Sequence, residues 1–141
     1  MAKIGLQLKG FEDLMEDLEK LGGDLEAVTT EALEKSHALV TPEIINAMNK
    51  HNRTHETEKS IERSGKVYWK NSVATVYVGF DISNGGLPSV FLMYGTPRHT
   101  PNHPGTDADK KLYNAIYGAS TRKKLADLQE EIILGAIDKR L

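Results

Sequence analysis

Hydrophobic spacing along the first fifty residues changes from a strand period to a helix period. Residues 3–9 alternate apolar and polar side chains, as in a short half-buried strand, and Gly10 ends this pattern. Apolar residues then recur at helical spacing over residues 11–21, and Gly22-Gly23 ends that helix. Asp24 follows the glycines and has a side chain that favours helix caps, so a second helix is predicted to begin there.

The second predicted helix is long and has one internal break signal. Its apolar stripe consists of Leu25, Val28, Ala32, Leu39, Ile44, Ile45 and Met48. Pro42 has no backbone donor and crowds the preceding turn, so we predict either a kink or a fresh helix that Thr41 caps. The helix should end near Lys50.

A β-hairpin is predicted in the middle of the chain. Residues 51–65 are polar and indicate a loop with a short helical turn, whereas residues 66–80 are rich in β-branched and aromatic side chains. A turn at Lys70-Asn71-Ser72 would divide this segment into strands 66–70 and 73–80. One face of the second strand is apolar and consists of Ala74, Val76, Val78 and Phe80.

The last part of the chain gives weaker signals. Residues 81–89 form a loop rich in Gly and Pro, and residues 90–94 fit either a buried strand or a short buried helix. An irregular loop is predicted for 96–109, with 97–109 the least ordered internal segment of an isolated subunit. A closing helix is predicted over 121–140, with Thr121 as its cap.

This order of elements predicts an α+β fold in a single domain, 1–141. A small antiparallel sheet packs against a long helix and shorter helices. Charged residues make up 27% and hydrophobic residues 39% of the chain, a balance that favours a globular, soluble protein over a disordered one.

Charge is distributed unevenly along the chain. Residues 1–50 carry 5 Lys and 10 Asp or Glu, a net charge of −5, and residues 51–141 carry 13 Lys or Arg and 10 Asp or Glu, a net charge of +3. Such polarity suits head-to-tail protein contacts, although solvated helix faces explain it equally well. Because no strong basic patch dominates, we expect no specific nucleic-acid binding.

Composition excludes several other classes of protein. The longest apolar run, 90–94, is too short to span a bilayer, and the N-terminal residues contain no secretion signal, so no membrane association is expected. The chain has no cysteine, which excludes disulfides, thiolate zinc sites and a cysteine nucleophile.

Two pairs of histidines raise the question of a metal site. His51 and His55 are four residues apart, as are His99 and His103, and on a helix this spacing allows two histidines to share a zinc ion. Prolines interrupt the second pair, and the first lies in a polar segment without the His-Glu-x-x-His spacing. We therefore expect exposed loop histidines, no structural metal and no cofactor.

Other catalytic patterns are also weak. The chain contains no Gly-x-Ser-x-Gly elbow, and the glycines of 84–89 lack the Lys and the following helix of a phosphate-binding loop. The acidic residues of the first helix indicate a solvated face, because nothing apolar surrounds them to shift their pKa values. We therefore expect no enzymatic activity and favour an interaction protein.

Several motifs together resemble the small neck and tail-component proteins of long-tailed bacteriophages, the head–tail joining and tail-completion family. The matching segments are LKGFEDLMEDLEKLG at 8–22, then Arg53, Thr54, Ser60 and Ile61, then VYVGF at 76–80, Tyr94-Gly95-Thr96 and His103-Pro104. The chain departs from the family pattern at His55, Thr57, Met93 and residues 105–108. The resemblance covers residues 4–110.

The resemblance implies a non-enzymatic structural protein of the virion, at the head–tail junction or the tail end, assembled in the bacterial host cytoplasm. Its partners would be copies of itself in a ring, or a ring on which it docks, formed by the connector, tail terminator or tail tube proteins. The stretch FLMYGTPRHTPNHPG, 91–105, would order against a neighbouring subunit. The implied contact residues are Phe91, Tyr94, Gly95, Thr96, Arg98 and His99.

Three of the six implied contact residues have a specific physical role. Tyr94 would be the buried anchor, Arg98 would pair with a carboxylate across the boundary, and Gly95 would adopt a backbone conformation that a side chain blocks. Two other classes of protein remain open at this point. One is a small metal-dependent hydrolase that uses the loop histidines, and the other is a host-derived binding module or a toxin–antitoxin type regulator.

Overall fold

The computed structural model describes residues 4–51, 56–95 and 107–141, and it has the predicted α+β fold. Three strands and six α-helices lie in these ranges: β1 Ile4–Leu6, α1 Glu12–Lys20, α2 Leu25–Met48, α3 Glu56–Lys59, β2 Tyr68–Lys70, β3 Val73–Val78, α4 Pro88–Tyr94, α5 Lys110–Tyr117 and α6 Ala119–Asp138. Short 3-10 turns follow α2 at Asn49–His51 and precede α4 at Ile82–Asn84.

The sheet has the order β1-β3-β2, and both pairs of strands are antiparallel. Asn71 and Ser72 form the tight turn of the predicted hairpin, and both have positive φ angles, 50° and 68°. Two consecutive residues with positive φ form a turn whose twist matches that of two antiparallel strands. The hairpin prediction is therefore confirmed, and both strands are two residues shorter than expected, since β2 begins at Tyr68 and β3 ends at Val78.

The two faces of β3 differ as the alternating pattern predicts. Ala74, Val76 and Val78 are buried on the inner side, whereas Tyr77 on the outer side is 38% exposed. The Tyr77 ring lies 5.9 Å from that of Tyr68 on β2, so the outer face presents a pair of tyrosines to solvent.

The main core lies between α2, the inner face of the sheet and the last helices. Its largest fully buried side chains include Phe80, Ile44, Met48, Met93 and Leu112. A buried hydrogen bond also links α2 to α6, because Gln129 Nε2 donates to Ser36 Oγ at 2.9 Å. The long helix α2 is thus the centre against which the other elements pack.

Asp24 caps α2 as the sequence predicts, and its side chain accepts a hydrogen bond from the Ala27 N–H at 3.1 Å. Of the two alternatives predicted at Pro42, the fresh helix capped by Thr41 is wrong, because Pro42 lies inside a single helix from Leu25 to Met48. The Thr41 hydroxyl instead forms a 3.2 Å hydrogen bond with His37 Nε2, and buried Val40 and Ile44 hold both sides of the proline against the core.

The last third of the chain differs most from the sequence-based expectation. Residues 90–94 belong to a helix, which settles the choice between strand and helix. Helix α5 was not predicted, and α6 begins at Ala119 with Gly118 before it, so the expected cap by Thr121 is wrong. The Thr121 hydroxyl donates to the Asn114 carbonyl oxygen at 2.9 Å, and it therefore joins α6 to α5.

Candidate functional site

Helix α4 is fixed to the core by one of its faces. Ser89 and Met93 are buried, with 0% and 2% of their surface exposed, and they are four residues apart. The Ser89 hydroxyl donates to the Gly86 carbonyl oxygen at 2.6 Å, and Pro88 occupies the first position of the helix, where its missing N–H costs nothing. The helix therefore presents its opposite face in a defined orientation.

That opposite face is apolar and exposed. Leu87, Phe91 and Tyr94 are 51%, 50% and 56% exposed, and their spacing of four and then three residues places them on one side of the helix. We call these three residues the α4 stripe. Large apolar side chains that are exposed together on a rigid element indicate a surface that contacts another molecule.

A row of three tyrosines extends the stripe from α4 across α5. The ring of Tyr94 meets that of Tyr113 edge-on, with centroids 5.6 Å apart, and Tyr113 lies 5.0 Å from Tyr117. Burial, together with the neighbouring Tyr94 and Tyr113, raises the pKa of Tyr117, so its hydroxyl stays protonated at neutral pH. Aromatic rings with polar tips are typical of protein interfaces.

Gly95 ends α4 in a backbone conformation that requires glycine. Its φ is 76° and its ψ is 175°, and its N–H donates to the Phe91 carbonyl oxygen at 2.8 Å. A Cβ atom is disfavoured in this region of backbone space. The expectation that Gly95 adopts a conformation closed to other residues is confirmed.

The chain returns to α4 directly before α5 begins. The Asp109 N–H donates to the Leu92 carbonyl oxygen at 2.7 Å. This hydrogen bond therefore ties together the described residues on the two sides of 96–106, the end of α4 and the start of α5.

Asp109 is also the buried centre of a polar cluster whose other members, His51 and Lys50, are partly exposed. One carboxylate oxygen accepts from the Leu112 N–H at 3.1 Å and caps α5, while Oδ2 lies 2.6 Å from His51 Nε2 and 3.3 Å from Lys50 Nζ. Burial alone raises the pKa of Asp109, but the hydrogen bonds from His51, the Leu112 N–H and Lys50, with the Lys50 charge, lower it to about 2. The carboxylate is therefore ionised throughout the physiological range and joins the end of α2 to the start of α5.

The contact residues implied by the resemblance fall into two groups. Phe91, Tyr94 and Gly95 lie together on α4 and at its end. The predicted contacts of Thr96, Arg98 and His99 lie outside the described residues, as does the part of the predicted least ordered segment between 97 and 106.

The residues upstream of α4 that match the family pattern contribute to the core where the structure describes them. Ser60 and Ile61 are buried, and Ile61 forms a bridge with Phe80 next to β3. Arg53 and Thr54 lie outside the described residues, as do three of the four paired histidines, His55, His99 and His103. Among the residues that the structure describes, no group of three or more His, Asp or Glu is arranged to hold a metal ion.

Three residues of the site were not predicted from the sequence: Leu87, Tyr113 and Asp109. Leu87 lies four residues before Phe91, a spacing that has meaning only once 88–94 is known to be helical. Asp109 is the N-cap of α5, and Tyr113 lies four residues after it, at the end of the first helical turn. This cap is the signal that predicts α5 and, with it, the tyrosine row.

Comparisons with known proteins do not identify a relative. The scan against protein-family models, the search of curated proteins and the search of solved structures each found no match. Within 4–51, 56–95 and 107–141, no helix has both the length and the apolar character needed to cross a membrane. The assignment of a function therefore depends on the residues and the geometry described above.

Proposed function

We propose that this protein is a non-enzymatic structural subunit of a bacteriophage particle, located at the head–tail junction or the tail end, and that it acts by oligomeric assembly. The proposed partners are those that the resemblance implies. They are other copies of this protein in a ring, or a ring of connector, tail terminator or tail tube proteins on which this protein docks. The α4 stripe is the proposed contact.

The observation that carries this proposal is the exposure of the α4 stripe on an anchored helix. Phe91 and Tyr94 are each at least half exposed, although Met93 between them is buried. Burying such aromatic side chains against a partner stabilises a complex by about 2 kcal/mol or more for each central residue. A fixed backbone reduces the entropy that binding costs, because the side chains are already oriented.

The distribution of charge also supports assembly through contacts between subunits. Helix α1 carries five acidic residues and one lysine, and all six side chains are exposed. The more basic second half of the sequence supplies the opposite charge for a neighbouring subunit. Complementary potentials of this kind increase association rates and suppress wrong partners.

The test is incorporation of variants into particles. Phe91→Ala and Tyr94→Ala should fold normally by circular dichroism, because both side chains are exposed, and should be lost from purified particles. Tyr68→Ala is the matched control, since Tyr68 is an equally exposed tyrosine on the sheet. If the two α4 variants enter particles as well as the wild type does, the α4 stripe is not the contact.

A metal-dependent hydrolase that uses the loop histidines is the second candidate. The observation in its favour is the pairing of His51 with Asp109, because a carboxylate often orients a histidine that binds metal through its other nitrogen. Elemental analysis of untagged protein separates the two proposals. One equivalent of zinc that survives dialysis, with loss of stability on chelation, favours the hydrolase, whereas metal-free folded protein favours the assembly subunit.

A further inference from the structure

A groove of about 720 Å³ lies between α1, α2 and α6. Leu21, Val28 and Ile132 contribute accessible apolar surface to it, and the α6 wall has small residues at Gly135 and Ala136. A Cβ atom at Gly135 would meet no heavy atom within 4 Å, so this wall faces open space. The groove is thus wide enough for apolar side chains that the chain itself does not supply.

The charged residues around the groove balance one another. Three are acidic and three are basic: Asp24, Glu31, Glu131, Lys35, Lys139 and Arg140. Glu31 and Lys35 already pair with each other at 2.9 Å. An apolar centre with a polar rim is typical of protein interfaces. Because the charges of this rim cancel, the groove has no net charge with which to attract a charged occupant.

The α4 stripe has the properties of such an occupant. Among the helices in the described part of the chain, α4 alone contains no charged residue. Leu87, Phe91 and Tyr94 occupy positions i, i+4 and i+7, which is how an amphipathic helix inserts anchors into a groove. An α-helix rises 1.5 Å per residue, so the α4 stripe is about 10 Å long. The groove wall that α2 forms from Asp24 to Lys35 is about 16 Å long, so the stripe fits within its length.

We propose that the α4 stripe of one copy docks in the groove of a second copy of this chain. This inference rests on the proposed function, for which it names the receptor surface. No residue of α4 or α5 lines the groove, so stripe and groove are separate surfaces of one molecule. A contact between two different surfaces repeats from copy to copy, and it closes into a ring when the rotation between copies permits.

The position of Gly135 allows the groove to be blocked without loss of the fold. Gly135→Leu places a bulky side chain in open space on a helix that favours leucine, whereas Gly135→Ala adds one methyl group and leaves the groove open. In sedimentation equilibrium of the purified protein up to millimolar concentration, Gly135→Leu should weaken self-association by about tenfold or more. Gly135→Ala should associate like the wild type.

Mixing two impaired variants tests the pairing directly. Gly135→Leu keeps the stripe and lacks an open groove, and the double variant Phe91→Ala, Tyr94→Ala keeps the groove and lacks the anchors. Each should stay monomeric alone, and together they should form one-to-one heterodimers with near wild-type affinity. Larger species should not form, because the heterodimer has no further intact stripe and groove to offer.

Three results overturn the inference: wild-type protein that remains monomeric at millimolar concentration, Gly135→Leu that associates like the wild type, or a mixture that forms no heterodimer. The proposed function is judged separately, by particles. If Phe91→Ala is lost from particles but Gly135→Leu is incorporated normally, the α4 stripe remains the contact and its receptor is a surface other than the groove. If both are incorporated normally, the α4 stripe is not the contact in the particle and the groove is not its receptor.

Discussion

The imidazole of His51 and the carboxylate of Asp109 meet at 2.6 Å, although 58 positions separate them in the chain. His51 closes the 3-10 turn after α2, and Asp109 caps α5. This pair therefore fixes the far end of the central helix to the element that carries the tyrosine row.

Acid should destabilise the protein through Asp109. Its pKa falls from 3.8 in the unfolded chain to about 2 in the folded protein, so its contribution is complete above about pH 4 and is lost as the pH falls towards 2. The shift corresponds to about 2 kcal/mol. Asp109→Asn keeps a capping side chain and removes the charge, so it should lower the free energy of unfolding by about that amount at neutral pH.

Urea unfolding of both proteins at neutral pH and near pH 2 measures this effect. The difference between wild type and Asp109→Asn should shrink in acid, because near pH 2 about half of the folded wild-type carboxylate is protonated. An equal difference at both pH values would show that the charge of Asp109 does not stabilise the fold.

Glycine at position 95 should be essential for the end of α4. Gly95→Ala forces a Cβ into a backbone region with φ of 76°, so we expect a loss of about 1 to 3 kcal/mol in the free energy of unfolding. Gly135→Ala is the control, because it lies inside α6 with free space around its Cβ and should stabilise by about 0.5 to 1 kcal/mol. Denaturant midpoints that move in the same direction for both would contradict this account.

The buried link between α2 and α6 should show energetic coupling. Gln129 Nε2 donates to Ser36 Oγ, whose hydroxyl donates in turn to the Ala32 carbonyl oxygen at 2.7 Å. Ser36→Ala leaves the buried amide of Gln129 without this acceptor, and Gln129→Ala removes the donor, so each should cost about 1 to 3 kcal/mol. A double-mutant cycle on the two sites should give a coupling energy of about 0.5 kcal/mol or more. If the two losses of stability are additive, the hydrogen bond between Gln129 and Ser36 does not couple the helices.

Pro42 should lower the stability of α2. It is exposed inside a helix of 24 residues, where a proline costs about 3 kcal/mol relative to alanine. Pro42→Ala restores a backbone donor and should raise the free energy of unfolding by about 1 to 3 kcal/mol. Glu43→Ala next to it removes only an exposed ion pair with Lys124 and should change stability by less than about 0.5 kcal/mol. Thermal unfolding of the two variants measures both effects.

The sequence predicts those elements whose local signals and burial agree. The hairpin follows from aromatic residues before Asn71-Ser72 and β-branched residues after it, and the start of α2 follows from Asp24. At Pro42 the local break signal left a kink and a fresh helix open, and the fresh helix is wrong because buried residues on both sides of Pro42 hold a single helix against the core. Helix α5 was missed because its eight residues follow a long stretch rich in Pro and Gly.

The candidate site could be predicted only in part. Phe91 and Tyr94 are identified by their place in the resemblance, but their exposure depends on a helix that periodicity alone does not distinguish from a strand. The groove is beyond prediction from the sequence, because it arises from the packing of three helices around small residues distant in the chain.

Strand β1 pairs with a strand that is synthesised much later. Gln7, directly after β1, hydrogen-bonds to Thr75 of β3 across 68 positions, and the ribosome needs about 3 to 14 s to make that length of chain. Throughout this interval β1 has no partner strand, whereas β2 and β3 emerge together and close through a two-residue turn. The hairpin therefore provides the template in nascent chains, and the strand made first is the last to join the sheet.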